Sequence, residues 1–168
     1  MPTTTYSHSQ HPKVVARACR DLIVSDRASS AANTIARYVV GRYVGSFELD
    51  GAYLASGLHR WARTELRYVQ EPHQEFVASL ARTFVTKAGD CDDFVVAVGT
   101  VAAATGAGVL IGWRWTGPRL AHVYPIVSAG WSERAVASGP YLVCDPLEPQ
   151  IRSYVPGECV EVLTVPAP

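Results

Sequence analysis

The pattern of apolar and polar residues divides the chain into two parts. In the first part, apolar residues recur three and four positions apart, which is the spacing of an amphipathic helix. Helices are predicted over residues 13–26, 31–43, 49–68 and 74–87, and Pro72 separates the last two because it has no backbone N–H to donate. No strand is needed to account for this part of the sequence.

In the second part the pattern changes to that of β-strands. Runs of β-branched and aromatic residues, bounded by Gly and Pro, predict strands over 109–115, 120–127, 141–145, 150–154 and 159–165. A short turn joins the first two, which predicts an antiparallel hairpin. The predicted fold is therefore α+β, with N-terminal helices packed on a mostly antiparallel sheet.

The motif Gly89-Asp90-Cys91-Asp92-Asp93, followed by a long apolar run, lies at the junction of the two parts. Gly89 suits the end of the preceding helix and Asp90 suits an N-cap, so a further helix is predicted to begin at Cys91. Free N–H groups at a helix start favour a thiolate and can hold an oxyanion. The two carboxylates that follow oppose ionisation of the thiol, so a nucleophilic Cys91 needs a strong base as partner. The alternative is a cysteine that only packs in the core, and the motif alone leaves the two interpretations evenly balanced.

Length and composition limit the other possibilities. The chain has 168 residues, of which 48% are apolar, and this suits a single domain over residues 13–168 that follows a polar, flexible N-terminal arm over residues 1–12. The 15 basic and 15 acidic residues balance, so neither nucleic acid nor an acidic membrane surface is a predicted partner. The oligomeric state is left open.

The four cysteines form no metal-binding pattern. There is no CxxC pair, no Cys/His cluster with zinc spacing and no calcium loop of the EF-hand type, so no metal and no cofactor is predicted. The N-terminal residues are polar, unlike a secretory signal, and the apolar segments are too short and too interrupted by Gly to cross a bilayer. A cytoplasmic protein with reduced thiols is therefore expected. Cys19 and Cys144 fall at core positions of their predicted elements.

Two residues of the predicted sheet can serve as partners of Cys91. His122 lies within the second predicted strand, on the same face as Tyr124, and Asp145 closes the third strand just before a proline. The histidine can take the proton of the thiol, and the aspartate can fix the orientation and tautomer of the imidazole. The three residues would then form a Cys-His-Asp triad. A zinc site made of the same three side chains is a less favoured alternative.

With these motifs in this order, the sequence resembles the transglutaminase-like superfamily of papain-like thiol enzymes over about residues 68–150. The matching pieces are Gly89-Asp90-Cys91-Asp92-Asp93, Ala121-His122-Val123-Tyr124 and Tyr141-Leu142-Val143-Cys144-Asp145-Pro146. The resemblance implies a papain-like core in which Cys91 is the nucleophile, His122 the base and Asp145 the orienting acid.

Other residues are assigned supporting roles. Gln70 and Gln74 are candidates for the side-chain half of an oxyanion hole, because an amide can donate the needed hydrogen bond. Asp92 and Asp93 either support the site from the first turn of the helix or are solvated caps. His59 lies among charged residues of its predicted helix and is expected to reach solvent.

Aromatic residues of the predicted sheet are candidates for contacts with substrate. Trp113, Trp115 and Trp131 are expected to shape the cleft beside the histidine, and Tyr124 is expected to flank its ring. Packing in the core is the alternative for each of them.

The predicted reaction proceeds through an acyl-thioester on Cys91. Water would resolve this intermediate in a peptidase or amidase, and an amine would resolve it in a transglutaminase-type acyltransferase. The resemblance favours hydrolysis of an amide in a protein or peptide substrate. The alternative function is that of a catalytically silent transglutaminase-like module that binds a protein or builds an assembly.

Overall fold

The computed structural model describes residues 3–6, 12–45, 51–70, 75–115, 121–128, 140–158 and 161–166. Its helices are α1 (Pro12–Asp26), α2 (Ser30–Val39), α3 (Gly51–Glu65), α4 (Leu80–Thr86) and α5 (Cys91–Ala104), with a π-helical turn, Val40–Val44, directly after α2. Its strands are β1 (Thr3–Tyr6), β2 (Arg67–Tyr68), β3 (Glu75–Ala78), β4 (Ala88–Gly89), β5 (Val109–Trp115), β6 (Ala121–Ser128), β7 (Tyr141–Val143), β8 (Arg152–Ser153) and β9 (Glu161–Val165). None of the described helices combines the length and the apolar character that a membrane span requires.

The main sheet has five antiparallel strands in the order β8-β7-β6-β5-β9. The predicted hairpin is its centre, since β5 pairs with β6 and places Arg114 opposite His122 and Gly112 opposite Tyr124. The α+β prediction is confirmed. The two strands of the hairpin begin within one residue of their predicted positions because β-branched and aromatic residues there are bounded by turn residues.

Helix α5 forms the centre of the core. Every residue from Asp92 to Ala103 is buried, and α5 contacts all four other helices as well as β5 and β6. It packs on the sheet face that carries Val109 and Val123, while Tyr124 and Ile126 lie on the opposite face in a smaller apolar cluster. This arrangement directs the N-terminus of α5, and therefore Cys91, towards one end of the sheet.

The first part of the chain contains strands that the sequence pattern does not predict. Residues 75–78 form β3 rather than the start of a helix, and α4 begins only at Leu80 because Ser79 caps it, with its hydroxyl accepting from the Arg82 N–H. β3 pairs antiparallel with β1, which lies within the segment predicted to be a flexible arm. The helical spacing over 74–87 is therefore overridden by pairing between distant segments.

Glu65, the last residue of α3, holds the junction between α3, β2 and β4. Its Oε1 accepts hydrogen bonds from the hydroxyls of Tyr38 and Tyr43, each at 2.6 Å, and its Oε2 pairs with Lys87 Nζ at 2.7 Å. Burial of the carboxyl opposes its charge, but these donors outweigh burial and lower the pKa of Glu65 to about 2. Since Lys87 directly precedes β4, this cluster fixes the path of the chain towards Cys91.

We expect acid to destabilise the protein through Glu65. Folding lowers the pKa of this carboxyl from 4.5 to about 2. The ionised carboxylate therefore stabilises the folded state fully above pH 4.5, and this stabilisation is lost as the pH falls towards 2. The shift corresponds to roughly 3 kcal/mol. Glu65→Gln should therefore lower the free energy of unfolding much more at pH 7 than at pH 3, as measured by urea denaturation. An equal loss at both pH values would contradict this origin of the acid sensitivity.

Candidate active site

His122 and Asp145 form a buried pair at the end of the main sheet. His122 Nε2 lies 2.5 Å from Asp145 Oδ2, and the two side chains are only 12% and 3% exposed. The second carboxylate oxygen, Oδ1, accepts the backbone N–H of Leu147 at 3.0 Å. With the carboxylate at Nε2, that nitrogen carries the ring proton, and Nδ1 remains as the nitrogen that can accept one.

Tyr124 stacks on the imidazole of His122. The ring centroids are 5.7 Å apart with an interplanar angle of 27°, and Tyr124 is itself only 1% exposed. The tyrosine ring lies over Gly112, where an added Cβ would come within 2.8 Å of it. Arg114, opposite His122 in the hairpin, places its guanidinium 5.6 Å from the centre of the same ring. These contacts restrict rotation of the imidazole.

Helix α3 holds the turn that follows Asp145. Arg63 Nη1 donates to the carbonyls of Pro146 at 3.1 Å and Glu148 at 2.6 Å, and His59 Nε2 donates to the Glu148 carbonyl at 3.0 Å. The expectation that His59 reaches solvent is wrong, because it is 6% exposed. The carbonyls of the turn need donors once α3 packs over them, and His59 is one of those donors.

We expect Arg63 to act as a positioning residue. Arg63→Ala removes the two hydrogen bonds that Arg63 makes to the turn and leaves the one from His59. The change should loosen Asp145, and thereby His122, so that the His122-dependent rate of alkylation at Cys91 falls about tenfold to a hundredfold. Arg63→Lys should restore part of that rate, since it keeps a donor. The matched control is Arg20→Ala on α1, whose guanidinium contacts Asp21. A rate that Arg63→Ala leaves at the level of Arg20→Ala would contradict the assignment.

Cys91 is the first residue of α5, and the prediction of a helix start at this position is confirmed. Cys91 is half-buried, so part of the residue is accessible to solvent. The chain enters the helix through β4, which pairs in parallel with β2 and is held by the Val69 N–H donating to the Gly89 carbonyl at 2.9 Å. Gly89 is required here, because a Cβ would lie 2.5 Å from the Cβ of Asp93.

Three carboxylates surround the start of α5. One oxygen each from Asp90, Asp92 and Asp93 lies within 4.8 Å of the others, and all three residues are buried. Asp90 occupies the N-cap position without making a side-chain cap bond, and Asp93 Oδ1 accepts the Ala78 N–H at 2.6 Å, which ties β3 to α5. Burial excludes the alternative that Asp92 and Asp93 are solvated caps. Oxygens of this kind could hold a hard divalent cation.

Tyr68 is the residue of the site that sequence reasoning missed. Its ring packs edge-on against Phe94, with centroids 6.1 Å apart. Burial, together with the nearby charges of Cys91 and then of the surrounding aspartates, including Asp145, raises the pKa of Tyr68 to about 12. Tyr68 is therefore protonated at neutral pH, and its pairing with Gly89 places it beside the start of α5. Only the pairing of β2 with β4 brings it there, and no local pattern signals that pairing.

No protein-family model and no curated protein matches this chain.

Side-chain alternation determines how Cys91 and His122 face each other. His122 is the second residue of β6 and shares the face of Tyr124, whereas α5 packs on the face of Val123. A thiol–imidazole contact would thus form around the end of the sheet, next to Tyr68.

The three tryptophans that were predicted to shape the cleft beside His122 differ in where they lie. Trp113 is 2% exposed and packs in the core on the face of Val123, away from His122, so we do not retain it as a substrate contact. Trp115 is 47% exposed at the end of β5 and contacts Trp113 edge-on at 6.4 Å. Trp131 lies outside the described residues.

The remaining candidates are placed as follows. Gln70 is exposed, two residues beyond Tyr68, and Gln74 lies outside the described residues. Cys19 and Cys144 are fully buried, which confirms their core positions. The predicted strand 141–145 is shorter in the structure, since β7 ends at Val143, so Cys144 and Asp145 lie just beyond it. The Cys144 thiol donates to the Ala55 carbonyl at 3.4 Å.

Proposed function

We propose that the protein is a cysteine-dependent amide hydrolase or acyltransferase with a transglutaminase-like, papain-like core. The observation that carries this proposal is the buried pair between His122 Nε2 and Asp145 Oδ2 at 2.5 Å, which leaves Nδ1 of the imidazole to serve a nucleophile. Cys91, the first residue of α5, is the proposed nucleophile. Tyr68 lies beside this helix start, because it pairs with Gly89 of β4 and its ring contacts Phe94 of α5.

The proposed reaction has two stages. His122 Nδ1 takes the thiol proton, the Cys91 sulfur bonds to the carbonyl carbon of the substrate amide, and the C–N bond breaks as the imidazolium returns the proton to the leaving amine. Water then attacks the acyl-thioester with His122 as base, which gives a carboxylic acid and regenerates the thiol. An incoming amine in place of water gives a new amide. Asp145 stays ionised throughout and stabilises the imidazolium.

Tyr68 and the backbone of α5 would stabilise the oxyanion of the tetrahedral intermediate. The positive end of the helix dipole lies at the start of α5, beside Cys91, and favours the negative charge of the oxyanion. The Tyr68 hydroxyl is a neutral donor in the same neighbourhood, and the exposed Gln70 is retained only as a second candidate.

We expect Tyr68→Phe to lower kcat about tenfold to a hundredfold with little change in KM, since the lost hydrogen bond forms to the intermediate rather than to the bound substrate. The phenylalanine keeps the edge-on contact with Phe94, so the fold should be retained. Hydrolysis of a fluorogenic peptide amide measures both constants. The matched control is Tyr53→Phe, at a tyrosine that is 65% exposed on α3. Equal kcat values for the two variants would remove Tyr68 from the mechanism.

One observation favours the alternative of a protein-binding module. Side-chain alternation turns His122 to the sheet face opposite to that of α5, so the thiol and the imidazole approach each other only around the strand end. Intact-mass analysis after addition of p-nitrophenyl acetate separates the two functions. An acyl adduct that forms on Cys91 in the wild type and forms far more slowly in His122→Ala supports the enzyme. An adduct rate that is unchanged by His122→Ala favours the binding module.

A further inference from the structure

Arg114 is a cationic side chain on the same sheet face as His122. The register of β5 and β6 places the two residues directly opposite each other. Side chains at such positions of antiparallel strands share a face, with their Cβ atoms about 4.5–5.5 Å apart. The ring of Tyr124 lies on this face too, with its centre 5.7 Å from that of the imidazole and 5.6 Å from the guanidinium carbon of Arg114. The guanidinium therefore lies beside the proposed general base.

The donors of the Arg114 guanidinium are poorly used within the protein. Its Nη2 lies 3.5 Å from Glu148 Oε1, which is longer than an ordinary hydrogen bond. The same carboxylate is already held by Arg152, whose Nε donates to Oε2 at 3.0 Å and whose Nη2 donates to Oε1 at 3.4 Å. Among the described residues, no other carboxylate forms an ion pair with Arg114, and its side chain is 40% exposed. Its planar fork of N–H groups is thus available to a carboxylate from outside.

The proposed chemistry determines which part of a substrate lies beside His122. The acyl portion is bonded to the sulfur of Cys91, whereas the imidazolium returns its proton to the leaving amine, so the leaving portion lies against the imidazole. An amine that resolves the acyl-thioester gives its proton to the same imidazole and therefore occupies the same place. Arg114, next to His122, faces this portion of the substrate.

We propose that Arg114 is a specificity-determining residue that binds a carboxylate in the leaving portion of the substrate, or in the amine that replaces it. This specificity rests on the proposed thiol acyl-transfer function. The carboxylate is that of a C-terminal residue or that of an acidic side chain, since both present the same pair of oxygens to the guanidinium. The contact with Tyr124 restricts the guanidinium before the substrate binds, which lowers the entropic cost of binding.

Transfer of an acetyl group from Cys91 to different amines tests this assignment. p-Nitrophenyl acetate acetylates the thiol, and glycine, glycinamide or the α-amide of aspartic acid then resolves the acetyl-enzyme. The amine nitrogen bonds to the acetyl carbon, the C–S bond breaks, and His122 carries the proton from the amine to the thiolate. The rate is that at which the acetyl mass is lost from the protein. Each rate is divided by the rate of the same amine with S-acetyl-N-acetylcysteamine, which corrects for the different basicities of the amines.

The wild type should transfer the acetyl group to a carboxylate-bearing amine about five to ten times faster than to glycinamide, after this correction. The preference should disappear in Arg114→Gln, persist in part in Arg114→Lys, and be unchanged in the control Arg37→Gln, at an exposed arginine of α2. In the wild type it should shrink as the salt concentration rises from about 0.1 M to about 1 M, because the screening length falls from about 10 Å to about 3 Å. Faster transfer to glycine identifies a C-terminal carboxylate, and faster transfer to the aspartic α-amide identifies an acidic side chain.

The outcomes separate this assignment from a supporting role of Arg114 and from the proposed function. If Arg114 only supports Tyr124, Arg114→Gln slows all three amines equally, and this result would exclude the carboxylate contact. Equal corrected rates for the three amines in the wild type, with acetylation that still depends on His122, would overturn the specificity and leave the proposed function standing. Acetylation of Cys91 that is independent of His122 would overturn both.

Discussion

Asp145→Asn should lower the turnover of a peptide amide by about a thousandfold to ten thousandfold while the protein remains folded. The carboxylate accepts two hydrogen bonds, one at Oδ2 from His122 and one at Oδ1 from the Leu147 N–H. An asparagine has a single acceptor oxygen. If that oxygen stays with Leu147, the amide NH₂ faces Nε2 and forces the ring proton onto Nδ1, so the imidazole can no longer accept the thiol proton.

This expectation is checked by kcat together with the pH dependence of the reaction. The rate of Asp145→Asn should recover in part at high pH, where hydroxide rather than His122 removes the thiol proton. Asp145→Glu provides the companion variant, because it keeps two acceptors but displaces them. Full activity of Asp145→Asn at neutral pH would show that the carboxylate does not set the tautomer of His122.

Cys91→Ala should abolish acyl transfer, with a loss of at least about ten thousandfold, because the proposed covalent intermediate forms on its sulfur. Its effect on stability should be small, since the residue is half-buried at a helix start and alanine suits the first turn. Circular dichroism and the midpoint of urea unfolding check the fold, and hydrolysis of a fluorogenic peptide amide checks the activity.

The control for Cys91→Ala is Cys19→Ala. Cys19 is fully buried in α1, and its thiol donates to the Asp92 carbonyl at 3.7 Å, so its loss should cost stability, roughly 1–2 kcal/mol, but not acyl transfer. The two variants thus separate the thiol that performs chemistry from one that only packs. Residual turnover in Cys91→Ala equal to that of Cys19→Ala would exclude Cys91 as the nucleophile.

Local signals in the sequence predict the parts of the fold that depend on neighbouring residues. The start of α5 at Cys91 follows from Gly89 and the aspartates around it, and the hairpin of β5 and β6 follows from runs of β-branched and aromatic residues. His122 and Tyr124 share a face because strand alternation is a fixed geometric property. These elements supply most of the candidate catalytic residues.

Pairing between distant segments accounts for what the sequence does not predict. β3 forms where helical spacing is present because β1, about seventy residues earlier, pairs with it. His59 is buried because α3 packs over the turn after Asp145, and Tyr68 reaches the site because β2 pairs with β4. None of these contacts between distant segments produces a periodic pattern of apolar residues that the sequence would reveal.

The pH dependence of alkylation at Cys91 by iodoacetamide, compared between the wild type and His122→Ala, tests the central claim most directly. The protein carries internal references, because burial, with nearby negative charge from Asp92, raises the pKa of Cys19, and burial raises that of Cys144. A thiolate paired with the imidazolium of His122 predicts rapid labelling at Cys91 that persists below the usual thiol range and collapses in His122→Ala. Labelling that follows an ordinary thiol titration and is unchanged by His122→Ala would contradict an assembled triad.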